Sequence, residues 1–183
     1  MKLIHKYFDS VLIIKLDQFI DNRGFFSELY QKKYYSELGI NDSFVQDNQS
    51  RSMQNVLRGL HYTINNHQAQ LMTVLKGRVF DVVVDLREDS TCFGQHKSVI
   101  LDDGDIQQIY IPPGFAHGFY VHSEYADLHY KTTKFYNSAD EAGIVWNDID
   151  INIKWPCSDP IISDRDIKHP SLNEAFKRNS QKL

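Results

Sequence analysis

Hydrophobic and polar residues alternate with a period of two along most of this chain, and turn residues interrupt the alternation at short intervals. This pattern is typical of short strands that bury one face. Residues 79–86 instead carry a nearly unbroken apolar run, which predicts a strand buried on both faces. Strands are predicted at residues 11–16, 25–30, 44–48, 56–62, 70–75, 79–86, 97–101, 106–111, 117–122, 126–135, 144–146 and 151–155.

Helical character is confined to two short segments. One covers residues 32–38, with Gly39 in the position where helices commonly stop, and the other covers residues 172–177 in the tail. Many short strands without alternating helices predict an all-β fold, either a sandwich or a jelly-roll barrel. No repeat or linker interrupts the pattern, so we expect residues 1–183 to form a single domain. A barrel of this kind would hold its ligand inside.

The composition narrows the functional class. Hydrophobic residues make up 42% and charged residues 24% of the 183 residues, as in ordinary globular domains. The aromatic share of 13% suits β-rich packing or a pocket that stacks flat ligands. The formal net charge is −4 and no basic block is present, which argues against a nucleic-acid-binding protein.

No segment of the sequence is typical of a membrane or secreted protein. The longest aliphatic run covers residues 11–14, whereas a spanning helix needs about 20 residues, and the N-terminus lacks the pattern of a signal peptide. Cys92 and Cys157 form no motif of a disulfide framework or a zinc cluster. We therefore expect a protein of the reducing cytoplasm without a membrane partner.

Two of the eight histidines have a distinctive setting. His61 lies on a predicted strand three residues after Arg58, and His117 follows a Pro-Pro-Gly-Phe-Ala segment at a strand start. A metal site in a barrel would need three or four His and carboxylate ligands, often a His-x-His pair with a later Glu. His61 is followed by Tyr62 and Thr63, and the guanidinium of Arg58 would repel a cation, so we expect no metal.

General acid–base catalysis is the second interpretation of His61. A carboxylate behind the ring would fix its tautomer and support the imidazolium, and a tyrosine on an adjacent strand would be a suitable acid. Tyr130 is one of ten tyrosines that could fill this role, and sequence spacing alone does not choose among them. A structural imidazole bonded to a neighbour remains the alternative for each histidine.

Seven segments, in order, resemble one family, the dTDP-4-dehydrorhamnose 3,5-epimerases and their close relatives. They are residues 21–28 (DNRGFFSE), 46–50 (QDNQS), 56–62 (VLRGLHY), 77–87 (GRVFDVVVDLR), 111–119 (IPPGFAHGF), 130–133 (YKTT) and 162–166 (ISDRD). The resemblance implies a cupin-type jelly-roll barrel, usually a homodimer with exchanged N-terminal strands. It also implies a reaction without cofactor or metal on a nucleotide-diphospho-4-keto-6-deoxy sugar.

The resemblance also implies roles for individual residues. His61 resembles the base that removes the proton next to the ketone, Asp166 its dyad partner, and Tyr130 the acid on the opposite face. The implied substrate-binding residues are Arg58 and His117 around the sugar and phosphates, Arg23, Phe26, Glu28, Gln46 and Asn48 at the nucleotide, and Tyr136 as an aromatic wall.

Gln70 departs from the family pattern, because relatives carry a lysine there that faces the sugar ketone. A glutamine amide can still donate a hydrogen bond to an enolate oxygen, but it brings no charge, and charge-assisted hydrogen bonds are roughly twice as strong. Either another donor compensates, or the reaction is changed, to epimerisation at one carbon only or to a substrate with a different hydroxyl pattern. Our hypothesis is that Gln70 makes the enzyme treat C3 and C5 differently.

Four alternatives to a double epimerase remain open. A single-centre epimerase or a 3,4-ketoisomerase would use the same barrel and the same histidine base. A sugar-nucleotide-binding cupin without catalysis would explain the missing lysine. A metal-dependent oxygenase is the most distant alternative, and metal analysis would decide it.

Overall fold

The computed structural model describes residues 1–180, which contain thirteen strands and three short helices joined by loops. They are β1 Lys2–Tyr7, β2 Val11–Lys15, β3 Phe19–Asp21, β4 Gly24–Phe26, α1 Lys32–Glu37, β5 Gln46–Met53, β6 Leu57–Thr63, β7 Gln70–Lys76, β8 Arg78–Asp85, β9 His96–Asp102, β10 Gln107–Ile111, β11 Phe115–Val121, β12 Tyr125–Thr132, β13 Glu141–Gly143, α2 Asp164–Ile167 and α3 Leu172–Ser180.

Two antiparallel sheets contain all strands except β3 and β4. One sheet has the order β1-β2-β10-β7-β12-β5, and the other has the order β13-β6-β11-β8-β9. Strands that are neighbours in a sheet are mostly distant in the chain, as in the Greek-key crossovers of a jelly roll. The predicted all-β, cupin-type jelly-roll fold is confirmed.

The main core lies between the two sheets. Met72 and Leu128 of the six-stranded sheet pack in one cluster with Val83 and Phe119 of the five-stranded sheet. The neighbours of Val83 on β8, at 82 and 84, are equally buried but belong to a cluster on the outer face of their sheet. The predicted burial of this strand on both faces is therefore confirmed, because loops and α3 cover the outer face.

Several predicted elements have different bounds in the structure. The predicted strand 25–30 is wrong beyond Phe26, because β4 ends there after pairing with β3 in a two-stranded hairpin. The predicted strand 151–155 is also wrong. Its apolar side chains instead cover the five-stranded sheet from a loop, where the indole of Trp155 donates to the carbonyl of Trp146 at 2.8 Å.

Other differences concern elements with weak sequence signals. β1 is an edge strand with mostly exposed side chains, so it carries no alternation and was not predicted. The predicted strand 144–146 lies just beyond β13, which ends at Gly143. The short helix α2 was also not predicted. Within residues 1–180, the helices are all too short or too polar to span a bilayer.

Candidate active site

A cavity of about 420 Å³ opens where β6, β8 and β10 end and β11 begins. Four of the residues singled out from the sequence line it: His61, Gln70, His117 and Tyr136. The remaining lining comes mainly from loops, including residues 64, 66–68 and 86–88 and the Pro112-Pro113-Gly114 turn. The mouth of the barrel is therefore both concave and polar, as expected for a small-molecule site.

His61 and Asp166 form a hydrogen-bonded pair at the wall of this cavity. Nε2 of His61, on β6, lies 2.9 Å from Oδ1 of Asp166, on α2. The Asp166 side chain is only 3% exposed, whereas that of His61 is 27% exposed. Because Nε2 is bound to the carboxylate, Nδ1 is the ring nitrogen left for a ligand.

The carboxylate of Asp166 is held by its own helix and by the strand it faces. Ser163 caps α2 by accepting a hydrogen bond from the Asp166 backbone N–H at 3.1 Å. The backbone N–H of Gly59 donates to Oδ2 of Asp166 at 3.2 Å. Burial alone would raise the pKa of Asp166, but the hydrogen bond and charge of His61, the backbone N–H of Gly59 and the side chain of Ser163 hold that pKa well below its ordinary value. Asp166 is thus an ionised partner for the His61 ring.

His117 forms a second imidazole–carboxylate pair beside the first. It is the cross-strand neighbour of His61 between β6 and β11. Its Nε2 lies 2.8 Å from Oδ2 of Asp81, whose side chain is fully buried on β8. The sequence analysis missed Asp81, although an aspartate within a buried apolar run needs a polar partner.

Tyr130 lies on the sheet opposite His61. It is on β12, where its side chain packs against the core between the sheets. Burial, above all, raises the pKa of Tyr130, while the nearby Arg58 guanidinium opposes this effect and Glu141 adds to it. The phenol therefore stays protonated at neutral pH and can donate a proton. It does not belong to the residues that line the cavity.

A series of hydrogen bonds, ending in an ion pair, connects the edge strand β5 with Asp166. Gln46 donates to Asn48 at 2.8 Å and accepts from the backbone N–H of Tyr136 at 3.0 Å. The Tyr136 hydroxyl donates to Glu141 at 3.2 Å, and Glu141 accepts from Arg165 at 2.6 Å. Arg165 precedes Asp166, and its Nε lies 3.6 Å from the Asp166 carboxylate. The sequence analysis missed Glu141 and Arg165 as site residues.

Arg58 lies near the β5 end of this series of hydrogen bonds. Its Nε donates to the hydroxyl of Ser52, on β5, at 2.9 Å. Its guanidinium is close enough to Tyr130 to lower the pKa of that phenol against the effect of burial. A fixed positive charge near the β5 edge is suited to binding a phosphate group.

Three predicted nucleotide contacts are not brought to this site within one chain. Arg23 and Phe26 lie on the β3–β4 hairpin, and Glu28 follows it. None of them lines the cavity. Phe26 is 63% exposed, and the guanidinium of Arg23 is engaged only with the carboxylate of its neighbour Asp21 among the contacts described.

His61, Asp166 and His169 offer three metal-ligand atoms within 4.8 Å of one another. His169 was not among the predicted site residues. Both imidazoles face the same oxygen, Oδ1 of Asp166, and the Nε of Arg165 brings positive charge within 3.6 Å of that oxygen, where it would repel a cation. This donor set fits a metal poorly, and the expectation of a reaction without metal stays a prediction.

Comparison with known proteins identifies the family. The family model described as dTDP-4-dehydrorhamnose 3,5-epimerase matches residues 6–174. The dTDP-4-dehydrorhamnose 3,5-epimerase of Pseudomonas aeruginosa is 46% identical over 177 residues, which cover 96% of this chain and 98% of the relative. The enzyme of the same name from Shigella flexneri is 45% identical over 177 residues, with the same coverage.

A solved structure is equally similar. The dTDP-6-deoxy-D-glucose-3,5-epimerase of Legionella pneumophila, in complex with dTDP-4-keto-L-rhamnose, superposes with a TM-score of 0.91 at 46% identity. The match covers 94% of this chain and 93% of that one. These similarities extend over nearly the whole chain, through both sheets and the cavity. The chain belongs to the dTDP-4-dehydrorhamnose 3,5-epimerase family and is an isomerase.

Proposed function

We propose that this enzyme epimerises C3 and C5 of a dTDP-linked 4-keto-6-deoxy sugar, with His61 as the base and without a cofactor. The observation that carries the proposal is the buried Asp166 carboxylate hydrogen-bonded to His61 at the wall of the cavity. The relatives named above act on, or contain, substrates of this kind. We propose that the sugar nucleotide binds at this cavity, which is lined by His61, Gln70, His117 and Tyr136.

The reaction needs a base and an acid on opposite sides of the sugar ring. A C–H bond beside the C4 ketone is acidic because its electron pair can spread onto the ketone oxygen as an enolate. His61 takes this proton and becomes an imidazolium that Asp166 stabilises. Tyr130, on the opposite sheet, gives its proton to the same carbon from the other face, which inverts the centre.

The enolate oxygen needs a hydrogen-bond donor while its charge exists. Gln70 lines the cavity at the start of β7, and its amide N–H₂ is the donor we assign to this oxygen. His117 is assigned to the sugar and its phosphates beside Arg58, with its ring held by Asp81. Tyr136, which is 64% exposed at the cavity mouth, forms the wall that covers the sugar.

We also propose that the enzyme is a homodimer with exchanged N-terminal strands, and that the exchanged strands are those of the β3–β4 hairpin. In the β3–β4 hairpin, Phe19 pairs with Phe26 on one face and Ile20 pairs with Phe25 on the other. All four side chains are at least 62% exposed in the single chain. A two-stranded hairpin is at best marginally stable alone. A hairpin with apolar side chains on both faces needs other protein surfaces that bury both faces.

The polar edge strand β5 of a second subunit would provide such cover. β5 is an edge of the six-stranded sheet and carries Gln46 and Asn48. A hairpin docked there would bring Arg23, Phe26 and Glu28 to the nucleotide contacts of the other subunit. β1 and β2, by contrast, pair with each other and with β10 inside their own chain.

Two further parts of the proposal concern organisation and location. One catalytic domain covers residues 1–183, of which residues 181–183 lie outside the described part. Cys92 and Cys157 are free thiols, which agrees with a reducing cytoplasm as the place of action.

A single-centre epimerase is the second candidate, and Gln70 favours it. A neutral amide stabilises an enolate less than an ammonium group does. The rate of proton removal would therefore fall more at the carbon whose proton is harder to remove. Incubation with a dTDP-linked 4-keto-6-deoxyglucose in deuterated water, followed by NMR, distinguishes the candidates. Deuterium at both C3 and C5 supports the double epimerase, and deuterium at one carbon supports the second candidate. Absence of deuterium at both carbons would refute both.

A further inference from the structure

His169 places a second imidazole against the pair formed by His61 and Asp166. Its Nε2 lies 3.5 Å from Oδ1 of Asp166, the oxygen that also binds His61. The rings of His61 and His169 meet edge to face, with centroids 5.7 Å apart and an interplanar angle of 80°. The His169 side chain is only 13% exposed, and its Nε2 is buried without a hydrogen-bond partner among the described residues.

The backbone around His169 leaves its ring little freedom. Its own N–H donates to the carbonyl of Asp166 at 3.3 Å, at the end of α2. The next residue, Pro170, accepts a hydrogen bond from the N–H of Val145 at 2.9 Å. The ring packs directly on Gly143 of β13, where a Cβ atom would lie 2.3 Å from Nε2 of His169.

Gly143 is the cross-strand neighbour of His61. The absence of a side chain at this position therefore opens the space in which the two imidazoles meet. The backbone of Gly143 lies outside the left-handed region, so the fold itself does not require glycine there. The requirement is local and comes from the His169 ring.

The electrostatics of this position favour a neutral His169. Burial, above all, lowers the pKa of His169, and the His61 ring when protonated and the Arg165 guanidinium lower it further, whereas Asp166 and Glu141 oppose them. Among residues 1–180, these four groups, from β6, α2 and β13, are the charged or titratable ones found to act on it. A bare ring nitrogen beside a carboxylate oxygen would be repelled, so the favoured tautomer directs the Nε2–H at Asp166.

We propose that His169 is a positioning residue that shares the Asp166 carboxylate with His61 and thereby limits the basicity of the catalytic ring. This inference rests on the proposed function for its catalytic meaning. The Nε2–H of His169 stabilises part of the negative charge on Oδ1. The attraction between Oδ1 and a protonated His61 ring is therefore weaker than it would be without His169. The edge-to-face contact also restricts the rotation of the His61 ring, so that Nδ1 stays directed at the substrate.

Two variants test the sharing of the Asp166 carboxylate in different ways. His169→Phe keeps a ring beside His61 but removes the N–H, so only the basicity of His61 should change. Gly143→Ala keeps the imidazole but displaces it from Asp166, so it should reproduce the change caused by His169→Phe. Gly104→Ala, in the turn before β10 and away from the cavity, is the matched control, because its backbone also lies outside the left-handed region.

The first measurement is an NMR titration of the histidine rings in the free protein. Loss of one weak donor to the carboxylate should move the titration midpoint of His61 upward by about half a pH unit in His169→Phe and Gly143→Ala. The second measurement is the pH profile of kcat/KM with the sugar nucleotide. Its acidic limb should move upward by the same amount, while Gly104→Ala keeps the profile of the parent enzyme.

The outcomes keep the two proposals apart. An unchanged or lowered His61 midpoint in both folded variants would overturn the role of His169, whatever the activity. Full activity of His61→Ala would instead overturn the proposed function, and the titration would still decide whether His169 shares Asp166. If His169→Phe fails to give a cooperative unfolding transition, Gly143→Ala alone decides the question.

Discussion

Nε2 of His61 lies 2.9 Å from Oδ1 of Asp166, although 105 residues separate the two in the chain. His61 is on a strand inside the five-stranded sheet, and Asp166 is on a one-turn helix near the end of the chain. The pair forms only when the loop after β13 has returned the chain to the backbone of Gly59. The proposed base is thus oriented by the complete fold rather than by its own strand.

Removal of the proposed base should abolish proton exchange at the sugar. His61→Ala leaves Asp166 without the ring that it orients, and general base catalysis contributes about 10²–10⁴-fold to rates. We expect deuterium incorporation at C3 and C5 to fall by at least this factor in deuterated water. His5→Ala, an exposed histidine on β1, should retain the parent rate. Retained inversion in His61→Ala would show that the base is misassigned.

Removal of the proposed acid should have a different effect. Tyr130→Phe leaves His61 and Asp166 intact, so proton removal and return on the His61 face continue. Delivery from the opposite face loses its donor, and inversion should slow by about 10²-fold or more. NMR should therefore show deuterium exchange that outpaces epimerisation. Equal losses of exchange and inversion would argue against Tyr130 as the acid.

The pKa of Asp166 gives a prediction for stability in acid. That pKa is lower in the folded chain than the ordinary value near 4, so the ionised carboxylate stabilises the fold above about pH 4. This contribution is lost as the pH falls through the folded-state pKa. Urea unfolding should therefore show Asp166→Asn to be less stable than the parent at pH 6, with a gap that narrows towards pH 3. A gap independent of pH would mean that Asp166 is not held as an anion.

Much of the fold could be predicted from the sequence because alternation reports burial directly. The apolar run on β8 predicted burial on both faces, and Val82 and Val83 do belong to different clusters. Exposed strands gave no such signal. β1 and β3 have mostly exposed side chains, so their sequences do not alternate, and only pairing with β2 and β4 identifies them.

The site could be predicted only where a residue carries its own signal. His61 and Tyr130 are chemically distinctive, but their partners depend on contacts between distant segments, and the pairing with Asp166 came from family resemblance. Asp81 lies within a run whose burial was predicted, yet its contact with His117 depends on the register between β8 and β11. His169 was missed because nothing in the sequence indicates that its ring packs on Gly143.

Restoration of the family lysine tests the role of Gln70. Gln70→Lys adds a positive charge at the cavity, where it would strengthen the hydrogen bond to the enolate oxygen. We expect exchange to quicken at the carbon that the parent treats more slowly, so that the rates at C3 and C5 become more alike. Gln54→Lys, which adds the same charge at an exposed position, is the control. Unchanged positions and rates of exchange would remove the basis for this role.

The β3–β4 hairpin gives the last prediction, which concerns assembly. Ile20 and Phe25 pair on one face of the hairpin and are 77% and 63% exposed, respectively, in the single chain. Burial of a large apolar side chain contributes about 1.5–3 kcal/mol, and a twofold dimer contains each contact twice.

The double variant Ile20→Ser with Phe25→Ser should therefore raise the dimer dissociation constant by on the order of 10³-fold or more. Light scattering should show monomers at micromolar concentration, and calorimetry should show weakened binding of thymidine diphosphate, because the hairpin of the other subunit no longer reaches Gln46 and Asn48. Ile149→Ser, at an 87% exposed isoleucine outside the hairpin, should remain dimeric and bind normally. A monomeric parent enzyme with full affinity would refute the exchanged dimer, because Arg23, Phe26 and Glu28 would then be unnecessary for the nucleotide.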